Sequence, residues 1–206
     1  MGAIRIGVID IGIGNVNSIA RSLEVLGGQV GFIGDPTQLK SYDKLVFPGV
    51  GSFGAASAKL RENEFGVAIV AAVKEFEIPL MGICLGMQLL GTYGYENGGG
   101  AGLGLIQTEV NLLESAKFDL SLPHIGWNDV IHSNNAMFRG IPQECSFYFV
   151  HSFRMPATIP DCDVAHCEYG EKFAAAVQNG LIWGTQFHPE KSQAAGLKVL
   201  KNFIEY

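Results

Sequence analysis

Two clusters of residues have the types and spacing to do chemistry. The first is Gly82-Ile83-Cys84-Leu85-Gly86, where an apolar run gives way to Met87, Leu89 and Leu90. A nucleophile set between glycines at a strand-to-helix turn is the pattern of a nucleophile elbow, here with sulfur in place of oxygen. The nucleophile's backbone is strained at such a turn, and the residues two before and two after it crowd each other, so glycine has a steric reason at both positions. A thiol at a helix N-terminus would have its thiolate favoured by the macrodipole. The second cluster is Gln186-Phe187-His188-Pro189-Glu190. If the strand from Leu181 to Phe187 continues in extended form, His188 and Glu190 point to the same side, giving a base and the carboxylate that orients it. The plain alternatives are a buried structural cysteine and a solvated loop histidine; the elbow glycines weigh against the first.

The elements that must hold these groups alternate along the first half of the chain. Ile4 to Ile9 reads as a short strand ended by Gly12 and Gly14, and Val16, Ile19, Leu23 and Leu26 recur at helical spacing up to Gly27-Gly28. Gln29 to Ile33 and Lys44 to Phe47 read as further strands, Phe65 to Phe76 as a helix, and Pro79 to Ile83 as the strand leading into Cys84. That alternation implies a parallel sheet. After Gly104 strands follow one another at Glu109 to Leu112, Ser146 to Val150, Phe173 to Val177 and Leu181 to Phe187, with Asn179-Gly180 as a type I′ hairpin signal. A last helix has Ser192 as its candidate N-cap and Leu197, Leu200 and Ile204 on one face. The expectation is one α/β domain over residues 1–206, in three layers with a mixed, mostly parallel sheet and the reactive residues at the carboxyl ends of its strands.

Composition removes several classes of function. The chain has 206 residues, 48% hydrophobic and 17% charged, with 27 glycines, about twice the usual share of that residue and suited to tight strand-to-helix turns. Such a composition is globular, not disordered. A net charge of −6 without a lysine or arginine cluster leaves no footprint for nucleic acid. No apolar stretch approaches a membrane span, no export signal is visible, and Met1-Gly2 lacks the serine or threonine that myristoylation would need at position 6. Four cysteines without C-x-x-C spacing suit a reducing cytoplasm. The run Cys162-Asp163-Val164-Ala165-His166-Cys167 lacks a second ligand pair and reads as sheet, so no metal is expected. Gly12-x-Gly14 has Asn17 where a dinucleotide loop wants its third glycine, and no cofactor is expected.

Taken with Asp10 to Asn15, Pro48 to Phe53, Pro123 to Asn128, Tyr148 to Ser152 and Gly184 to Ser192, the elbow segment Gly82 to Gln88 resembles the class I glutamine amidotransferases over nearly the whole length. Pro48-Gly49-Val50-Gly51, Gly126-Trp127-Asn128 and Val150-His151-Ser152 are similar to the glutaminase subunits of imidazole glycerol phosphate synthases within that family. The resemblance implies that Cys84 attacks the side-chain carboxamide of L-glutamine, with His188 and Glu190 completing a triad. It implies an oxyanion site from the Gly49-Val50 peptide and the Leu85 N–H, and a glutamine pocket of Gly51, Gln88, Glu96, Ser152 and Phe153. A (β/α)8 synthase subunit, paired as a heterodimer, would then receive the ammonia and make imidazole glycerol phosphate and an aminoimidazole carboxamide ribotide in histidine biosynthesis. Asn15, Trp127 and Asn128 are the candidate residues of that interface.

The chain departs from the family at Ile11, where tyrosine is usual, at Phe153, which replaces tyrosine, and at Gly91 to Gly102, which replaces an acidic, helix-continuing stretch. The last departure suits a paralogue that feeds a different synthase, for example one amidating a surface sugar. Two other classes remain open at this stage: a self-sufficient cysteine hydrolase, which would lack Gln88 and the His-Pro-Glu run, and a flavodoxin-type binding module, which would carry a chromophore.

Overall fold

The computed structural model describes residues 3–206; the Met1-Gly2 start lies outside them. Among the described residues thirteen strands form two sheets. The large sheet has the order β2 (Gln29–Ile33), β1 (Arg5–Ile9), β3 (Lys44–Gly49), β4 (Leu80–Cys84), β13 (Ile182–Thr185), β12 (Glu171–Asn179), β11 (Asp163–Tyr169), β8 (His124–Ile131) and β9 (Glu144–His151). From β2 to β13 all neighbours run parallel, and from β13 to β9 all run antiparallel. The sheet is therefore mixed, as expected. A small sheet of β10 (Phe153–Arg154), β7 (Glu109–Leu112), β5 (Tyr93–Gly94) and β6 (Gly100–Ala101) lies beside it.

Alternation along the central strands creates a core on each face. Val46, Met81 and Ile83 pack with Ile19 and Leu23 of α1 (Val16–Val25) and Val199, Leu200 and Phe203 of α5 (Gln193–Glu205). Leu45, Phe47 and Leu80 pack on the other face with Phe53, Ala56 and Leu60 of α2 (Phe53–Glu62) and Phe65, Ile69 and Ala72 of α3 (Phe65–Lys74). Strands buried on both faces need apolar residues at every position, which explains why β3 and β4 read as continuous hydrophobic runs. The result is a three-layer α/β architecture.

Several sequence expectations shift. The last strand stops at Thr185, two residues short of Phe187, and Pro189–Lys191 forms a 3₁₀ turn, so strand alternation does not bring His188 and Glu190 together. The hairpin loop is Gly180-Leu181, with Asn179 paired to Ile182, and only Gly180 has a positive φ (52°). A type I′ turn needs two such residues; glycine first is the type II′ arrangement. Ser192 does precede α5, but its hydroxyl makes no capping bond. The helix expected to run to Phe76 closes at Lys74. Helix α2 and strand β8, the latter eight residues long, are additional to the elements read from sequence. Among the described residues no helix is long and apolar enough to cross a membrane, and no group of three or more His, Cys, Asp or Glu could hold a metal ion.

Candidate active site

At the end of β4 the chain turns so sharply that Cys84 takes φ 55° and ψ −112°, a conformation costing a residue with a side chain about 1–3 kcal/mol. The glycines around it are there for space. A Cβ at Gly82 would lie 2.6 Å from the Gly86 carbonyl oxygen, and one at Gly86 would lie 1.8 Å from the carbonyl oxygen of Phe47. The elbow can close only because both residues lack a side chain. Helix α4 (Leu85–Leu89) then runs for just five residues, shorter than expected, so the macrodipole behind Cys84 is that of little more than one turn. The helix stops where Gly91, whose Cβ would meet the Thr108 carbonyl at 2.8 Å, enters the small sheet.

His188 and Glu190 approach from the end of β13. His188 Nδ1 lies 2.9 Å from Glu190 Oε1, and both side chains are buried. The 3₁₀ turn at Pro189 achieves this pairing, with the proline restricting the backbone between them. Burial works against a charge on this imidazole. The interactions with Cys84 and Glu190 outweigh that penalty and raise His188 to about 9. His188 Nε2 is buried and makes no close hydrogen bond. Long nucleophile-to-base contacts that tighten on substrate binding are common in unliganded sites.

Ser192 explains how His188 is held, a role its sequence position does not suggest. Its Oγ donates to the His188 carbonyl oxygen at 2.6 Å and accepts from the Tyr148 N–H at 3.0 Å, while the His188 N–H donates to the Tyr148 carbonyl at 2.9 Å. Two of these bonds tie the turn to β9, and the third, from Ser192 to His188, braces the turn itself. Gln186, also unpredicted, points its Nε2 toward Cys84 Sγ at 3.8 Å.

These groups border a cleft of about 160 Å³ lined by Val50, Gly51, Cys84, Leu85, Gln88, Glu96, Val150, His151, Ser152, Phe153 and His188. Larger grooves of about 530 and 460 Å³ lie along α3, but they contain no pairing of nucleophile and base. Gly51, Gln88, Glu96, Ser152 and Phe153 therefore share one cavity with Cys84. Gln88 Nε2 donates to the Phe153 carbonyl at 2.9 Å and to Gln186 Oε1 at 3.0 Å. Glu96 Oε2 accepts the Phe53 N–H at 2.9 Å, so one of its oxygens holds the start of α2. Gly49 pairs with Cys84 across β3 and β4, and Val50 beyond it is 44% exposed at the rim.

The three interface candidates separate. Asn15 caps α1 by accepting the Ser18 N–H and lines a small cavity behind His188 and Glu190. Trp127 is 48% exposed on the outer face of β8, with Ile125 and Ile131. Asn128 faces inward, its amide engaged with His124, the Glu168 carbonyl and the Asp129 N–H. In the remaining cysteine cluster His166 bonds the Ala157 carbonyl and Cys167 is buried in the sheet.

The family model described as glutamine amidotransferase class-I matches residues 7–206. A Vibrio vulnificus (strain YJ016) protein named imidazole glycerol phosphate synthase subunit HisH 1 is 46% identical over 207 residues, covering 98% of each chain. A Sulfurimonas denitrificans protein named imidazole glycerol phosphate synthase subunit HisH is 40% identical over 206 residues, again covering 98% of each. Among solved structures, PurLQS from Thermotoga maritima superposes with a TM-score of 0.78 at 21% identity, covering 100% of this chain and 99% of that one. A glutamine amidotransferase of known crystal structure gives 0.76 at 18% identity, covering 97% of each chain; at such identities the likeness establishes the fold alone. The family match and the two close relatives establish the rest: the chain belongs to the class I glutamine amidotransferases, a family of enzymes.

Proposed function

We propose that the chain, as one glutaminase domain over residues 1–206, is the ammonia-producing subunit of an imidazole glycerol phosphate synthase. The observation that carries this reading is the buried His188–Glu190 pair opening on the same cleft as the strained Cys84. In the first step Cys84 Sγ attacks the carboxamide carbon of glutamine. His188 takes the thiol proton and delivers it to the departing nitrogen, so the C–N bond breaks, ammonia leaves, and a glutamyl thioester remains. Water, deprotonated by His188, then releases glutamate and restores the thiol. Glu190 holds the imidazole in the required tautomer and supports its positive charge. The Leu85 N–H and the peptide N–H between Gly49 and Val50 stabilise the oxyanion, each worth about 3 kcal/mol of barrier. Gly51, Gln88, Glu96, Ser152 and Phe153 bind glutamine.

The acceptor chemistry belongs to a (β/α)8 cyclase subunit in a cytoplasmic heterodimer, into which ammonia passes shielded from water. The names of the relatives support this partner, as do the exposed Ile125, Trp127 and Ile131 on the outer face of β8, because apolar patches of this kind mark interaction surfaces. Four free cysteines suit a reducing compartment. Cytoplasmic residence, absence of nucleic acid and the heterodimer are parts of the same reading. The glycine-rich segment from Gly91 to Gly102 favours a second reading, a paralogue that supplies another synthase.

The test is to reconstitute the chain with a cyclase partner and measure glutamate release with and without the cyclase's acceptor. Turnover is expected to be slow alone and to rise with acceptor mainly in kcat, because an oxyanion donor acts only in the transition state. Cys84→Ala should abolish glutamate release while leaving the melting temperature nearly unchanged. Glutaminase activity without any transfer to this acceptor would favour the paralogue; full activity of the free chain would favour a self-sufficient hydrolase.

A further inference from the structure

Two buried histidines, His151 in the wall of the cleft and His124 behind it, are not used by the proposed mechanism. His151 Nδ1 is 2.9 Å from the carbonyl oxygen of Phe153, and its Nε2 is 3.1 Å from His124 Nδ1. His124 Nε2 in turn lies 3.3 Å from Asn128 Nδ2, which also reaches the Glu168 carbonyl at 2.9 Å. A carbonyl can only accept. His151 must therefore carry its proton on Nδ1, which leaves Nε2 as an acceptor. His124 must then donate from Nδ1 and accept at Nε2, where the Asn128 amide supplies the proton. Both ends of the chain are backbone carbonyls, so only one direction of donation satisfies every bond, and it requires both rings to be neutral. Their surroundings favour neutrality. His124 stacks against Phe149 and Tyr169, and burial holds its pKa down to about 4 and that of His151 to about 3.

The relay ends on the atom that also orients Gln88. The Phe153 carbonyl accepts from Gln88 Nε2 as well as from His151, and the second Nε2 proton of Gln88 goes to Gln186. With both donors engaged, the group that Gln88 can offer to the cleft it lines is its acceptor, Oε1. We propose that His124 and His151 are positioning residues for the glutamine pocket: with Asn128 they form a one-way hydrogen-bond relay that fixes the Phe153 carbonyl and, through it, presents the Gln88 oxygen to a donor group of the substrate, its ammonium or carboxamide N–H. The proposal rests on the glutaminase reading and extends it to residues that touch no reacting atom.

Two measurements test it. His124→Phe keeps an aromatic ring in the stack but removes the donor to His151, whereas His124→Asn keeps a donor near the Nδ1 position. In the complex with the cyclase subunit, the Phe variant should raise KM for glutamine about fivefold or more with kcat within about twofold, as loss of a contact shared by ground and transition states requires. The Asn variant should recover most of that loss. An unchanged KM in a folded Phe variant, a loss confined to kcat, or an Asn variant no better than Phe would each overturn the relay. Long-range ¹H–¹⁵N spectra of the full-length wild-type chain decide the matter independently, even if the Phe variant fails to fold. Both rings should appear as neutral Nδ1–H tautomers at pH 7, and an Nε2–H or charged form of either overturns the proposal. Wild-type complex that releases no glutamate would instead defeat the glutaminase reading, leaving the tautomers to be read on their own.

Discussion

The parallel and antiparallel halves of the large sheet contribute to the cleft by different means. On the parallel side, Cys84 is placed by close backbone approach: Gly82 and Gly86 let the turn into α4 close on itself and against Phe47 of the adjacent strand. On the antiparallel side, position is set by contacts between residues far apart in the chain. Ser192 joins His188 to Tyr148, and His151 joins His124 to Phe153. The first device is steric, set by backbone packed on backbone, and tolerates no added atom at Gly82 or Gly86. The second is polar and distributed, and each of its bonds can be weakened singly. A nucleophile is therefore fixed by exclusion here, while its base and the pocket walls are fixed by attachment.

That contrast can be tested, beginning with the largest effect. His188→Ala should lower kcat about a thousandfold or more, since it removes the group that moves the proton, whereas Glu190→Gln should cost less because the carboxylate only orients. Steady-state rates in the reverse order would show the two roles to be exchanged. Gly86→Ala, with its Cβ driven into the Phe47 carbonyl, should destabilise the fold by about 3 kcal/mol or prevent folding. Gly98→Ala, at φ 83° with open space around it, should cost only about 1 kcal/mol. Similar urea midpoints for the two would remove the steric account of the elbow.

The polar half should show itself in the pH dependence of stability. His124 and His151 have folded pKa values of about 4 and about 3, below the value near 6.5 expected when unfolded. Protonation therefore favours the unfolded chain. Their contribution is complete above about pH 6.5 and is lost as pH falls, at up to about 2.7 kcal/mol per unit while two extra protons bind on unfolding. His188 has the opposite sign. Raised to about 9, it adds stability in full below about pH 6.5 and loses it as pH climbs toward 9. Urea titrations across this range should find a maximum near neutrality, and an acid limb without steep loss would mean that the paired histidines are already charged. The smallest effect is Ser192→Ala, which should cost about 1 kcal/mol of stability and lower kcat several-fold by loosening His188.

The same contrast decides what is legible in the sequence. The elbow is legible because its crowding writes itself as two glycines four residues apart, Gly82 clearing the Gly86 carbonyl and Gly86 clearing Phe47 on the neighbouring strand. The parallel strands are legible because burial on both faces leaves unbroken apolar runs. His188 and Glu190 stand out as a pair for an incomplete reason: the spacing suggests extended alternation, and a 3₁₀ turn does the work. Ser192 reads as a helix cap because capping is a local rule, while one of its hydroxyl's two partners, Tyr148, lies on a strand 44 residues away. Gln186 and the two histidines carry no signal of their own, since a hydrogen-bond relay depends on which strands are neighbours, and sheet order is not written in any single segment. Strand β8 escapes notice for a related reason. Its outward positions hold Ile125, Trp127 and Ile131 beside Asp129, while His124, Gly126 and Asn128 face the other way, so the usual contrast between an apolar inner face and a polar outer face is missing.

The segment from Gly91 to Gly102 has the composition of a flexible linker, yet apart from Gly98 its glycines are pressed against their surroundings. An added Cβ would meet the Phe53 ring at Gly94, the Tyr93 hydroxyl at Gly99, the Ser57 hydroxyl at Gly100 and the Gly91 carbonyl at Gly102, all within 2.6 Å. Backbone packed in this way holds its shape without side chains, and at these four positions it cannot acquire one by a single substitution. Point mutation, the ordinary route by which enzymes drift toward new substrates, is closed at these four glycines, which flank the cleft residue Glu96. Remodelling it requires changing the path of the backbone itself, through an insertion, a deletion or a grafted loop, so divergence here should come in jumps of length and not in exchanges of residue.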